Sequence, residues 1–92
     1  MTKLTIQVRT ADNLLDLLKA NRSGNWVVAH GKEQEISDGE IVNFDGTQKI
    51  EGTFDYEKSH RLDDDRLVIA FKDACICNCN VNFNGRNPVR YF

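Results

Sequence analysis

Polar and apolar positions alternate at the head of the chain. Leu4, Ile6 and Val8 fall between Lys3, Thr5, Gln7 and Arg9, which predicts a strand from Lys3 to Arg9 with one buried face. The period then changes, and Ala11, Leu14, Leu17 and Leu18 recur at helical spacing with Leu15 widening the stripe. Thr10 is the expected N-cap, its hydroxyl taking an amide of the first turn, and Asp12 suits the positive end of the helix dipole. Asn21 to Gly24 tolerate left-handed backbone and are expected to end the helix. Trp26-Val27-Val28-Ala29 is a short unbroken apolar run, as in a strand covered on both faces. Strand, helix and strand over Lys3 to His30 therefore suit a crossover onto one sheet, with an antiparallel placement of the first strand as the alternative.

Gly31 to Gly39 is polar and acidic and reads as a loop. Glu40 to Phe44 and Gln48 to Tyr56 read as strands joined through Asp45-Gly46, a favoured tight-turn pair, and Gly52 marks a bulge or sharp bend. Glu57 to Asp65 is a charged loop, Leu67 to Phe71 a short apolar strand, Lys72-Asp73 a turn, and Ala74 to Phe83 a last strand. Asn84 to Pro88 then breaks the pattern ahead of the Val89-Arg90-Tyr91-Phe92 tail. The order β-α-β-β-β-β-β predicts an α+β fold with one helix packed on a curved, mainly antiparallel sheet of about six strands, or a sheet that closes into a small barrel. Ile41 to Gly46 followed by Ile50-Glu51-Gly52 resembles the hairpin of Sm-like and SH3-like barrels, where an apolar strand, a turn glycine and a bending glycine come in similar order. The resemblance implies fold alone.

A chain of 92 residues has room for one small core, so residues 1–92 are read as a single domain. No apolar run approaches the ~18 residues of a membrane span, and the alternating N-terminus lacks the apolar core of a signal peptide. A cytoplasmic protein without a membrane partner is the expectation. Cys75, Cys77 and Cys79 fit a reducing compartment, because any internal pairing would close only a tiny loop. Their spacing puts all three on one strand face, which continues to Val81 and Phe83 and so reads as inward, the thiols packing as small apolar groups. The competing reading is a soft-metal site for zinc or copper(I) completed by His30 or His60, although the usual two-residue-spaced cysteine pair and its repeat are missing. No metal or other cofactor is expected.

Ser59-His60 with Asp63, Asp64 and Asp65 holds the residue types of a catalytic triad, but adjacent residues seldom aim at one another and no nucleophile-elbow glycines flank Ser59. As a calcium loop counted from Asp63, the run places Val68 where the obligatory glycine belongs. Walker, dinucleotide and HExxH patterns are absent. The reading is non-enzymatic.

Charge changes the picture more. Residues 1–32 carry five Lys and Arg against two Asp, a balance of +3. Residues 33–65 carry three against eleven acids, −8, and residues 66–92 carry four against one, +3. That acidic middle would repel a phosphate backbone and suits a basic protein surface instead. The candidate protein-binding residues are Glu33, Glu35, Asp38, Glu40, Asp55, Glu57, Asp63, Asp64 and Asp65, with Tyr56 as aromatic anchor. A plainly solvated surface is the competing account of the same charges. The expected function is a small protein-binding or regulatory module, docking an acidic face on the basic, nucleic-acid-binding surface of a partner. In size and charge pattern it resembles phage-encoded inhibitors of bacterial defence. The alternative is a small barrel that binds RNA or single strands through Arg86, Arg90, Tyr91 and Phe92, within an Asn-rich stretch that carries no acid after Asp73. Exposed sheet edges would also permit a homodimer.

Overall fold

The computed structural model describes residues 4–82 and 88–92, and of Asn25 only the backbone. In chain order the elements are β1 (Leu4–Arg9), α1 (Leu14–Ala20), β2 (Arg22–Trp26), β3 (Ile36–Val42), β4 (Gln48–Phe54), β5 (His60–Arg61), β6 (Leu67–Asn78) and β7 (Val89–Tyr91), with one turn of 3-10 helix at Lys32–Gln34. The strands form a single curled sheet, a half-barrel, in the order β2-β6-β4-β3-β1-β7, and β5 also pairs with β6. β1 and β3 run parallel, and the other pairs are antiparallel. The α+β class and the curved, mainly antiparallel sheet stand; the strand order differs from the expected one.

β1 keeps the alternation read from Leu4 to Arg9, while Lys3 lies outside the described residues. Ile6 and Val8 join Ile41, Ile50, Phe54, Leu67, Ile69, Phe71 and Val89 in one buried cluster. α1 starts three residues later than a Thr10 cap would put it. The Thr10 amide still donates to the Val42 carbonyl, so the chain there belongs to the sheet, and the Thr10 hydroxyl accepts Asp12 N at 3.0 Å in a local turn. Asn13 is the cap instead, its Oδ1 accepting Leu15 N at 2.9 Å and Asp16 N at 3.3 Å. The helix ends as expected on Asn21 in the left-handed conformation, φ 57. It packs on β2, β4 and β6 through Leu14, Leu17 and Leu18.

The apolar run 26–29 is not a strand. The second strand is the polar Arg22–Trp26, and after it Val28 is buried while Val27 is 70% exposed. The carbonyls of Val28 and Ala29 are met by the guanidinium of Arg61 rather than by a neighbouring strand. Strand structure resumes at Ile36, inside the expected 31–39 loop, because Leu4 to Arg9 pairs with Ile36 to Val42. The crossover partner of β1 is therefore β3. The hairpin through Asp45-Gly46 forms as read, with Gly46 at φ 76. The expected loop 57–65 contains β5, and the expected tail contains β7, which pairs with β1.

Lys72-Asp73 is a bulge within one continuous strand, not a turn. Glu51 faces Cys75 while Thr53 faces Lys72, so β6 carries one extra residue there, Asp73, at φ 52. Gly52 sits opposite, and a Cβ on it would stand 2.8 Å from the Ala74 Cβ. The glycine thus marked the bulge correctly, but the added residue lies on the partner strand. One extra residue reverses every later side chain. Before the bulge Leu67, Ile69 and Phe71 point inward; after it Ala74 and Ile76 pack on the core. The cysteine face is consequently the outer one: Cys75 is exposed, and Cys77 and Cys79 are half-buried. The inward reading of that face is overturned. Beyond Asn78 the chain continues along the β3–β4 turn through Cys79 N to Thr47 O and Val81 N to Gly46 O, both 2.9 Å. Phe83 lies outside the described residues.

Candidate functional site

The acidic residues of the middle segment do not share one face. They divide between the turns around β5 and the outer face of the sheet.

At β5 the chain leaves β4 in a turn fastened to Ala70. Asp55 N donates to the Ala70 carbonyl at 2.9 Å, Ala70 N donates to Ser59 Oγ at 2.9 Å, and Ser59 Oγ donates to the Asp55 carbonyl at 2.7 Å. Tyr56 and Glu57 are held outward on this turn. Glu33, Tyr56, Glu57, Ser59, His60, Arg61 and Leu67 line one shallow cleft. Tyr56 is 52% exposed there, and Leu62, on the β5–β6 turn, is also exposed. That turn holds Asp64, whose Oδ1 accepts Arg66 N at 3.1 Å, and Asp65, at φ 73 and 2.7 Å from His30 Nε2. The His30 hydrogen bond holds the Asp65 carboxyl below the ordinary carboxylate range.

Arg61 organises this region. Its guanidinium donates to the carbonyls of Val28, Ala29 and Asp65, and to Glu33 Oε2 at 2.7 Å. Burial pushes the Glu33 carboxyl up, but hydrogen bonds from its own and Gly31's amides and from Arg61 outweigh this and hold it below its usual range. Glu57 and Asp63 are exposed and form no ion pair among the described residues. Glu35 lies 4.0 Å from Lys32, on the segment leading into β3. Asp55 faces the other side of its turn, beside Lys58.

On the outer sheet face the register sets Arg90, Gln7, Glu40, Glu51 and Cys75 side by side across β7, β1, β3, β4 and β6. Contacts follow this row. Arg90 donates to Gln7 Oε1 at 2.6 Å, Gln7 donates to Glu40 Oε1 at 2.8 Å, and Lys49 Nζ lies 3.1 Å from Glu40 and 2.8 Å from Glu51. Hydrogen bonding to Glu51 raises the Lys49 ammonium well above its usual value, and the same bond lowers Glu51. Burial first, and then Glu51, raises the Cys77 thiol. Asp38 and Glu40 thus sit apart from the β5 cleft, in a shallow groove with Glu51 and Asp73. Glu51, Gln7 and Lys49 were not singled out from sequence. Strand parity could have put them on the outer face, but their neighbours depend on register.

His30 and His60 lie at the β5 end, Cys75 and Cys77 on β6 and Cys79 just beyond it, and among the described residues no group of three or more His, Cys, Asp or Glu is placed to hold a metal ion. Ser59 Oγ is engaged by Asp55 and Ala70, and Asp65 contacts His30 rather than His60. Of the residues considered for nucleic acid, Arg86 lies outside the described residues, Arg90 is bonded to Gln7, Tyr91 is half-buried against the core under Lys32, and Phe92 is exposed. No helix of the described residues is long and apolar enough to cross a membrane. No family model, curated protein or solved structure matches this chain.

Proposed function

We propose that this protein is a small non-enzymatic protein-binding module that docks the cleft around Tyr56 on a basic surface of another protein, regulating or inhibiting it. The observation that carries this reading is the meeting, in one cleft, of an exposed Tyr56 with an exposed Glu57, beside a Glu33 whose charge is paired with Arg61. The basic group in the lining, Arg61, is taken up by three carbonyls and Glu33, so it does little to offset the outward charge of Glu57 and Asp63. An aromatic anchor with an acidic rim supplies desolvated contact area from the ring, and steering and partner selection from the carboxylates. Asp38 and Glu40, on the outer face, are not part of this surface.

The test is capture of the partner from nuclease-treated native lysate, followed by affinity measurement on the identified protein. Binding is expected to weaken with rising salt, and to be lost in Tyr56→Ala/Glu57→Gln and in the triple variant Asp63→Asn, Asp64→Asn, Asp65→Asn. Asparagine keeps tolerance for the left-handed backbone at residue 65, so the fold is preserved. Unchanged affinity in both variants would refute the site.

A further inference from the structure

The turn that carries Tyr56 has a second side, which borders a different concavity. This cleft is lined by Ala20 and Asn21 at the end of α1, by Arg22, by Asp55 and Lys58 of the turn, and by Ala70 to Asp73 of β6. We propose that it is a binding site for one phosphate group, carried by a small molecule and held by Arg22, Lys58 and Lys72.

The backbone places these cations. Arg22 pairs with Ala70, and Lys72 follows two residues along β6 on the same outward face, so the two side chains are diagonal neighbours across an antiparallel pair. Ala70, between them, leaves room where a larger side chain would fill the cleft. Its amide and carbonyl are tied to Ser59 Oγ and Asp55 N, which fixes the turn that brings Lys58 in from the third side. Phe71 N donates to the Asn21 carbonyl at 3.0 Å and holds the helix end in place. The walls are therefore fastened to one another by two backbone hydrogen bonds and the Ser59 hydroxyl.

Arg22, Lys58 and Lys72 are exposed and form no ion pair among the described residues. Three cations lining one cleft repel one another, and an anion between them relieves that repulsion. Arg offers a planar fork and the two Lys mobile point charges, a donor set suited to phosphoryl oxygens. Two carboxylates limit what fits. Asp55 Oδ1 accepts Lys58 N at 3.4 Å and stays with its turn, while Asp73 lines the rim from the bulge. Those negative charges at the edge disfavour a continuous polyanion and leave space for a single phosphate.

The experiment is titration of nitrogen-15-labelled protein with inorganic phosphate and, separately, glycerol 3-phosphate, with chloride holding ionic strength constant. Saturable amide shifts are expected around residues 20–22, 55–58 and 70–73, and the tighter of the two probes identifies the source of the phosphate. Arg22→Gln/Lys72→Gln is expected to weaken binding about tenfold, and Asp73→Asn to tighten it about threefold. Tyr56→Ala should leave it unchanged, which separates this site from the protein-docking cleft. Shifts that chloride alone reproduces would overturn the proposal. So would unchanged affinity in an Arg22→Gln/Lys72→Gln protein with the melting temperature of the parent, or tighter binding of a single-stranded oligonucleotide at the same amides.

Discussion

Lys49 stands between two carboxylates that the register of β3 and β4 sets directly opposite each other, Glu40 and Glu51. Like charges in a cross-strand pair repel, so the ammonium between them decides whether this part of the sheet is stable. Replacing Lys49 by Met leaves two facing carboxylates, and an expected loss of about 1–3 kcal/mol at neutral pH. The loss depends on pH in a defined direction. In the parent protein Glu51 titrates below its ordinary value of 4.5, so its contribution is complete above that pH and falls away on acidification. In Lys49→Met, protonation relieves the repulsion instead. Thermal melts between pH 7 and pH 4 should show the gap between variant and parent closing as pH falls, and a constant gap would refute this account.

At the scale of the element, the bulge in β6 decides which chemistry the strand presents. Were Asp73 paired as a regular strand residue, with no bulge, the inward parity of Leu67, Ile69 and Phe71 would carry on through Cys75 and Cys77, as strict alternation suggests. With Asp73 at φ 52 those thiols face out, and Ile76 turns in. Alkylation followed by peptide mass spectrometry checks this. Cys75 is expected to react fastest, and Cys77 to lag because burial and Glu51 keep its thiol protonated. Equal protection of all three would contradict the outward face. Gly46 is a second position where backbone dictates the residue: a Cβ there would stand 2.1 Å from the Val81 carbonyl oxygen, which closes over the hairpin turn.

Over the whole molecule, the half-barrel leaves β2 and β7 at opposite ends of the strand order, and segment 27–35 bridges toward both sides. Arg61 of β5 takes its carbonyls at Val28 and Ala29, Val28 enters the core, and Lys32 lies over the Tyr91 ring at 5.2 Å. Glu33→Gln removes the charge that fixes Arg61 and is expected to cost about 1–2 kcal/mol at neutral pH, a melting-temperature drop of about 5–15 °C for a domain of this size. Because Glu33 titrates below its ordinary value of 4.5, its stabilisation is present above that pH and lost as pH falls through the lowered value. Parent and variant melts should therefore converge in acid. A difference that persists in acid after both melts have become independent of pH would assign the effect to packing rather than to charge.

Local chemistry in the sequence determined β1, the Asp45-Gly46 hairpin, the left-handed end of α1 and the place of a bulge at Gly52, since each depends on residues a few positions apart. Trp26 to Ala29 was misread because an apolar run satisfies a strand and a plug equally well, and the guanidinium that meets its carbonyls comes from Arg61, over thirty residues away. Arg22–Trp26 was missed because its strand character comes from β6 rather than from its own residues. The linear charge pattern likewise showed an acidic middle but not its division. Register sent Asp38 and Glu40 to the outer face and left Glu33, Tyr56 and Glu57 at β5, while Arg22, Lys58 and Lys72 came together from three parts of the chain. Periodicity and turn chemistry are properties of neighbours in sequence. Which side chains share a surface is set by strand pairing over long separations, and one inserted residue reverses it.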